Sequence, residues 1–198
     1  MGSTLSQPKI PIVLVGLDEC GKTTMLKTLK SPSDEIISNF LTIGFMIEKI
    51  SFLPFEISSF SLGGQDKIRP FWWNSSLYGN KKAIIWVQDC ADLDPERHDL
   101  AKNELQLLFD IGELYDLPLL VFANKQDRSE ASGIEEVVEM LNLQNLNRPW
   151  QIFGSVGTDK QSLEEGLTWL HTVIQDPSSY SPHNFQAEKK TKNANKIQ

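Results

Sequence analysis

Cysteine is scarce in this chain of 198 residues. The two present, Cys20 and Cys90, fall in no metal-ligand or redox-pair spacing, which predicts two thiols kept reduced, as in the cytosol. Long apolar runs are missing too. The longest, Pro118–Ala123, is the size of a strand and far short of the ~20 residues of a membrane-spanning helix. The amino terminus lacks the basic and apolar regions of a secretory signal. Positive charge is in deficit, with 19 Lys and Arg against 26 Asp and Glu, a net charge of -7 and a pI of about 5.0. The body of the protein therefore has no general attraction to nucleic acid or anionic membranes, and any membrane contact must be local. No internal repeat occurs.

What is present is an ordinary globular composition, 40% hydrophobic and 23% charged, at a length that suits one domain. The β-branched run Ile10–Val15 is followed by glycine and then by a helix-compatible stretch, Lys22–Lys30. The same alternation returns at Ala83–Val87 before Pro95–Tyr115, at Leu119–Ala123 before Gly133–Leu141, and at Gln151–Phe153 before Ser162–Ile174. Repeated strand and helix predict an α/β fold with a mostly parallel sheet covered on both faces. One interruption breaks the pattern. Phe45–Phe52 and Phe55–Phe60 have only Leu53 and Pro54 between them, so they are expected to form an antiparallel hairpin. Residues 9–175 read as the domain, 1–8 as an amino-terminal segment, and 176–198, rich in Ser, Pro, Asn, Gln and Lys, as a tail too polar to order itself.

Gly16-Leu17-Asp18-Glu19-Cys20-Gly21-Lys22-Thr23 fits G-x-x-x-x-G-K-[ST], after a strand and at the start of a helix, as the phosphate-binding mechanism requires. Backbone N–H groups from Gly16 through Thr24 can surround an anion, and the helix amino terminus adds partial positive charge. Lys22 can reach the terminal phosphates, and the Thr23 hydroxyl can ligate Mg²⁺. Asp18 and Glu19 put acidic side chains beside a polyphosphate site. Weakened nucleotide affinity is one expectation for Glu19; a side chain turned to solvent is the other.

A phosphate loop alone does not separate ATPases, nucleotide kinases and GTPases. Asn124-Lys125-Gln126-Asp127 directly follows the apolar strand, at the carboxyl end where ligands of open α/β sheets bind. A carboxylate there accepts from both the ring N–H and the exocyclic amine of guanine, a donor pair adenine lacks. Guanine is the predicted base.

With Gly16-Leu17-Asp18 opening the loop, Thr42-Ile43-Gly44-Phe45, the string Gly63-Gly64-Gln65-Asp66-Lys67-Ile68-Arg69-Pro70, and Ala123-Asn124-Lys125-Gln126-Asp127, the chain resembles the Arf and Arf-like family of small GTPases. Order and spacing match from about Ile10 to Leu170. The resemblance implies a P-loop, small G-protein fold with a six-stranded, mostly parallel sheet and one antiparallel edge strand. It implies that Thr42 joins Thr23 on Mg²⁺ and senses the γ-phosphate, that the Gly64 N–H meets that phosphate, and that Gln65 is the catalytic residue aligning the attacking water. Asn124, Lys125 and Asp127 would bind guanine, with Val156 and Gly157 supplying a backbone N–H to the base. The hairpin corresponds to the family's interswitch, which shifts register between the GDP and GTP states. The activity implied is slow hydrolysis of GTP, with an activating protein, an exchange factor and effectors as partners of a monomer. Its setting would be the cytoplasm and the surface of endomembranes, the Golgi above all.

The chain departs from the family at Ser61, where the D-x-x-G aspartate normally holds Mg²⁺ through a water. If that contact is worth about 1.5 to 3 kcal/mol, metal-assisted binding falls roughly 10- to 100-fold. Faster GDP release is one expectation; a scaffold that binds guanine nucleotide without useful hydrolysis is the alternative. Of the family's aromatic effector triad, Phe45 and Phe60 are kept and Ser75 replaces the third. Trp72 and Trp73 either substitute for it or pack beneath the second switch. Met1-Gly2-Ser3-Thr4-Leu5-Ser6 fits the pattern for myristoylation of Gly2. One such chain gives only reversible membrane attachment, to which the tail lysines Lys189, Lys190, Lys192 and Lys196 could add.

Overall fold

The β-branched run near the amino end becomes the central strand of the protein. A computed structural model of the chain, describing residues 9–32, 35–40, 46–60 and 78–180, sets β1 (Ile10–Val15) between β4 (Phe55–Ser59) and the next strand, β5 (Ile84–Asp89), and parallel to both. The sheet continues through β6 (Leu119–Asn124) and β7 (Trp150–Gly154), all parallel. On the other side β3 (Met46–Phe52) pairs antiparallel with β4 across the turn at Leu53 and Pro54, as the hairpin reading requires.

The expected six strands are seven, in the order β2-β3-β4-β1-β5-β6-β7. The additional strand, β2 (Ile37–Phe40), pairs antiparallel with β3 from Ile37 opposite Lys49 to Phe40 opposite Met46. The antiparallel strand β3 is thus covered rather than lying at the edge. Ile-Ser-Asn-Phe is too short and too polar to announce a strand; the free backbone groups along β3 organise it, as an exposed sheet edge does for any extended segment.

Burial on both faces explains the apolar runs. Alternate residues of each strand enter two different cores. Val13, Val15, Ile84, Trp86 and Val121 lie on one face beneath α2 (Pro95–Phe109) and α3 (Ile134–Met140). Ile12, Leu14, Ile57, Ile85 and Phe122 lie on the other beneath α1 (Lys22–Leu29) and α4 (Lys160–Gln175). Each such side chain, removed from water, contributes about 1.5 to 3 kcal/mol. Helix starts are fixed locally. Asp94 accepts from the Glu96 N–H at 2.9 Å with Pro95 in the first turn, and Asp159 accepts from the Gln161 N–H at 3.1 Å, the usual use of a short acidic side chain and of proline at these positions. The helix expected over Pro95–Tyr115 stops at Phe109, and Gly112–Leu114 forms a 3-10 turn instead. A further 3-10 turn, Pro177–Ser179, lies just past α4, within the stretch read as the tail.

From β1 the chain turns toward β4 and its hairpin; from β5 it turns the other way, toward β6 and β7. The connections therefore diverge between β1 and β5, and a crevice opens outside their carboxyl ends, where ligands of such sheets bind.

Candidate functional site

The loop from Gly16 to Thr23 occupies that crevice. Two of its glycines are required by geometry. Gly16 has φ +155° and Gly21 φ +108°, and a Cβ on the first would collide with the Val87 carbonyl, on the second with the side-chain amide of Asn124. Glu19 also takes a left-handed conformation, φ 61°, which disfavours a residue with a Cβ, and its side chain is exposed. Of the two expectations for Glu19, the solvent-facing one matches this placement.

Lys22 opens α1 and is only 5% exposed. Its ammonium donates to the carbonyls of Gly16 at 3.1 Å and Leu17 at 2.5 Å, and lies 3.4 Å from the Cys20 sulfur. The loop is therefore closed round a central positive charge. Burial pushes the Cys20 thiol above its ordinary range although Lys22 pulls the other way, and burial pushes Cys90 up to about 12. Both thiols are buried, and neither is in a disulfide.

Thr23 is exposed, and its hydroxyl donates to a Glu48 carboxylate oxygen at 2.6 Å. Glu48 stands on β3, opposite Ser59 of β4, so the hairpin delivers a carboxylate to the residue expected to ligate Mg²⁺. A hydroxyl that donates to a carboxylate keeps its lone pairs for a cation, and both are hard oxygen donors of the kind Mg²⁺ takes. The residues present fit the ion. Among the described residues no group of three His, Cys, Asp or Glu forms a separate metal cluster.

The guanine motif lies at the end of β6. Asn124 is 2% exposed, and its amide nitrogen donates to the Cys20 carbonyl at 2.8 Å while its oxygen accepts from the Ser155 hydroxyl at 3.4 Å. Its side chain thus ties the phosphate loop to the loop after β7. Lys125, in a left-handed conformation with φ 67°, reaches Asp89 at the end of β5, 2.5 Å from Nζ to the carboxylate. Asp127 remains half-exposed at the carboxyl end of β6, with Arg128 3.9 Å away. Val156 and Gly157 follow β7. The Val156 N–H is taken by the Ser162 hydroxyl at 3.2 Å, and the Gly157 carbonyl accepts from the Thr28 hydroxyl of α1 at 2.7 Å. Thr24 is exposed beside Thr23, and a Cβ on Gly157 would touch its methyl at 3.5 Å. The three loops after β1, β6 and β7 meet at one end of the sheet.

Three residues of this site escape the sequence. Glu48 and Asp89 are described above; the third is Arg97 of α2. Its guanidinium donates to the Asp18 carboxylate at 3.3 Å, to the Asp18 carbonyl at 3.0 Å and to Asp92. Burial alone would raise the Asp92 carboxyl, but the Asp94 N–H and Arg97 hold it below the usual range. The bond to Asp92, with Asp18 adding to it, keeps the arginine charge firmly in place against its partial burial. No string signal marks Arg97; Asp89 at the end of a strand with Asp92 and Asp94 in the loop after it, followed by a basic residue in the first turn of a helix, is the nearest to one.

The expectations for Gly2, Thr42, Phe45, Ser61, Gly64, Gln65, Trp72, Trp73, Ser75 and the tail lysines lie outside the described residues. Phe60 is described, and it is 3% exposed, its ring edge-on to Tyr78 with centroids 5.5 Å apart.

The chain matches the model of the ADP-ribosylation factor family over residues 2–174. It is 40% identical over 172 residues to ADP-ribosylation factor-like protein 1 of Saccharomyces cerevisiae, covering 86% of this chain and 91% of that one. Its structure resembles that of the Arl6 BBS3 small GTPase from Trypanosoma brucei, solved with the nucleotide analogue GppNp, with a TM-score of 0.68 and 31% identity over 84% of this chain and 98% of the other. With the glycine-rich loop, the N-K-x-D segment and the divergent sheet all at one crevice, the chain belongs to the ADP-ribosylation factor family of small GTPases.

Proposed function

We propose that the chain is a guanine-nucleotide switch that binds GDP and GTP with Mg²⁺, hydrolyses GTP slowly, and recruits effectors reversibly at endomembranes. The observation that carries this reading is the bond from the Asn124 amide to the Cys20 carbonyl, which couples the base loop to the phosphate loop. A polyphosphate and a guanine held at the two ends of that link belong to one ligand. Lys22 and the loop N–H groups would hold the phosphates, and Asp127 would accept from the guanine edge.

Mg²⁺, when bound, neutralises charge that develops on the transferred phosphoryl group. Thr23 and Thr42 would hold it. Glu48 supports this use, because it brings a carboxylate to Thr23 in a chain that carries serine at position 61. Gln65 would align the water, an activating protein would supply further positive charge, and an exchange factor would release GDP.

Ser61 favours a second reading, a nucleotide-binding scaffold without useful hydrolysis. Single-turnover hydrolysis with and without Mg²⁺, compared with Gln65→Leu, separates the two. Phosphate release that requires Gln65 supports the switch, and the absence of any Gln65-dependent phosphate release supports the scaffold. Membrane recruitment rests on Gly2. Mass spectrometry of the protein from its own cells is expected to find a myristoyl group there; free or acetylated Gly2 removes lipid attachment and, with it, the Golgi-facing part of the reading.

A further inference from the structure

We propose that Arg97 is a positioning residue for nucleotide binding: it latches the phosphate loop to α2 across the crevice and neutralises Asp18, so that an acidic loop can hold a polyphosphate. The inference deepens the guanine-nucleotide reading and rests on it.

Three contacts of one guanidinium carry the argument. The bond to the Asp18 carboxylate cancels a negative charge that the loop would otherwise present to its ligand. The bond to the Asp18 carbonyl fixes the peptide that follows. In a planar trans peptide the C=O and N–H point in opposite directions, so holding this carbonyl toward α2 turns the Glu19 N–H away from α2 and leaves it free to face an anion. The left-handed φ of Glu19 makes this peptide the one in the loop most in need of an external hold. The bond to Asp92 anchors the other side of the guanidinium, and Asp92 is itself fixed, its carboxylate accepting the Asp94 N–H at 3.1 Å and its carbonyl lying 2.6 Å from the His98 ring nitrogen.

An ion pair between two exposed side chains is worth little. Here the fork reaches a backbone carbonyl and two carboxylates at once, which a lysine's single ammonium cannot reproduce. The latch also spans the gap between the loops after β1 and β5, 79 residues apart in sequence, so α2 is mechanically joined to the phosphate site.

The test measures dissociation of fluorescent GDP from the full chain in Mg²⁺, for wild type, Arg97→Ala, Arg97→Lys, Asp18→Asn and the double variant Arg97→Ala/Asp18→Asn. Arg97→Ala is expected to release GDP about tenfold faster, in line with the loss of charged hydrogen bonds. Arg97→Lys should recover only part of this. Adding Asp18→Asn to Arg97→Ala should slow release again, because the uncancelled carboxylate is removed; a merely structural arginine would give a double variant no slower than Arg97→Ala. If Arg97→Ala fails to fold, Asp92→Asn, which loosens the anchor alone, is expected to speed release in the same direction. Wild-type release rates in Arg97→Ala, or a double variant as fast as Arg97→Ala, overturn the inference while leaving guanine binding intact. A wild-type chain that binds no guanine nucleotide overturns both.

Discussion

The side-chain amide of Asn124 occupies the space in which a Cβ on Gly21 would stand, and donates from there to the carbonyl of Cys20 at 2.8 Å. A glycine of the phosphate motif and an asparagine of the base motif are therefore chosen for each other. The first needs no side chain because the second needs the room.

Asn124→Ala leaves the buried Cys20 carbonyl without that donor, a loss of about 1 to 3 kcal/mol. Affinity for GDP is expected to fall by about tenfold or more, with a modest drop in Tm. Isothermal titration checks the first and a thermal melt the second. Unchanged GDP affinity would show that the two loops are not coupled through this side chain.

Glu48→Ala removes the carboxylate beside Thr23. The concentration of Mg²⁺ needed to retain bound GDP is expected to rise about tenfold, and Glu48→Gln, which still accepts from the Thr23 hydroxyl, should lie between. Titration of Mg²⁺ into the EDTA-treated GDP complex gives the comparison. Equal Mg²⁺ requirements in all three proteins would remove Glu48 from the site.

Gly166 faces β6 from α4, and a Cβ there would stand 2.7 Å from the Phe122 ring and 3.2 Å from Leu120. Gly166→Ala gains helix propensity of up to about 1 kcal/mol but forces atoms into a filled core at a cost of about 1 to 3 kcal/mol. Net destabilisation is expected, read as a lower urea midpoint. A raised midpoint would mean that α4 can move off the sheet.

Asp92 has its carboxyl held below the usual range when the chain is folded. Such a group stabilises the protein fully above its unfolded value, about 3.9, and that stability is lost as pH falls through the folded value. Asp92→Asn should therefore lower the urea midpoint at pH 7, and the gap from wild type should narrow as pH drops below about 4. A gap that is constant with pH would mean that the Asp92 charge does not support the fold.

The parts of the site written as contiguous strings were legible, because their chemistry and their place after a strand stand together in sequence. Lys22 and Thr23 open α1 as the motif requires, and the hairpin followed from two β-rich runs with one tight link. Residues brought by topology were not. Glu48, Asp89 and Arg97 reach the crevice because β3 pairs with β4 and β5 lies beside β1, and no local pattern encodes those neighbours. β2 is hidden for a related reason: four residues with polar centres become a strand only when an edge is offered. Asn124 stands within its motif, yet its side chain holds two loops together, a role visible only once Cys20 and Ser155 stand on either side of it.

The central claim is that one crevice holds a guanine nucleotide. Competition between GDP and ADP for the purified chain, with fluorescent GDP as the probe and Mg²⁺ present, tests it most directly. If the Asp127 carboxylate accepts the donor pair that only guanine offers, displacement by GDP is expected to be at least about 100-fold more effective than by ADP, with loss of that preference in Asp127→Ala. Equal displacement by the two nucleotides, or no binding of either, would contradict the account.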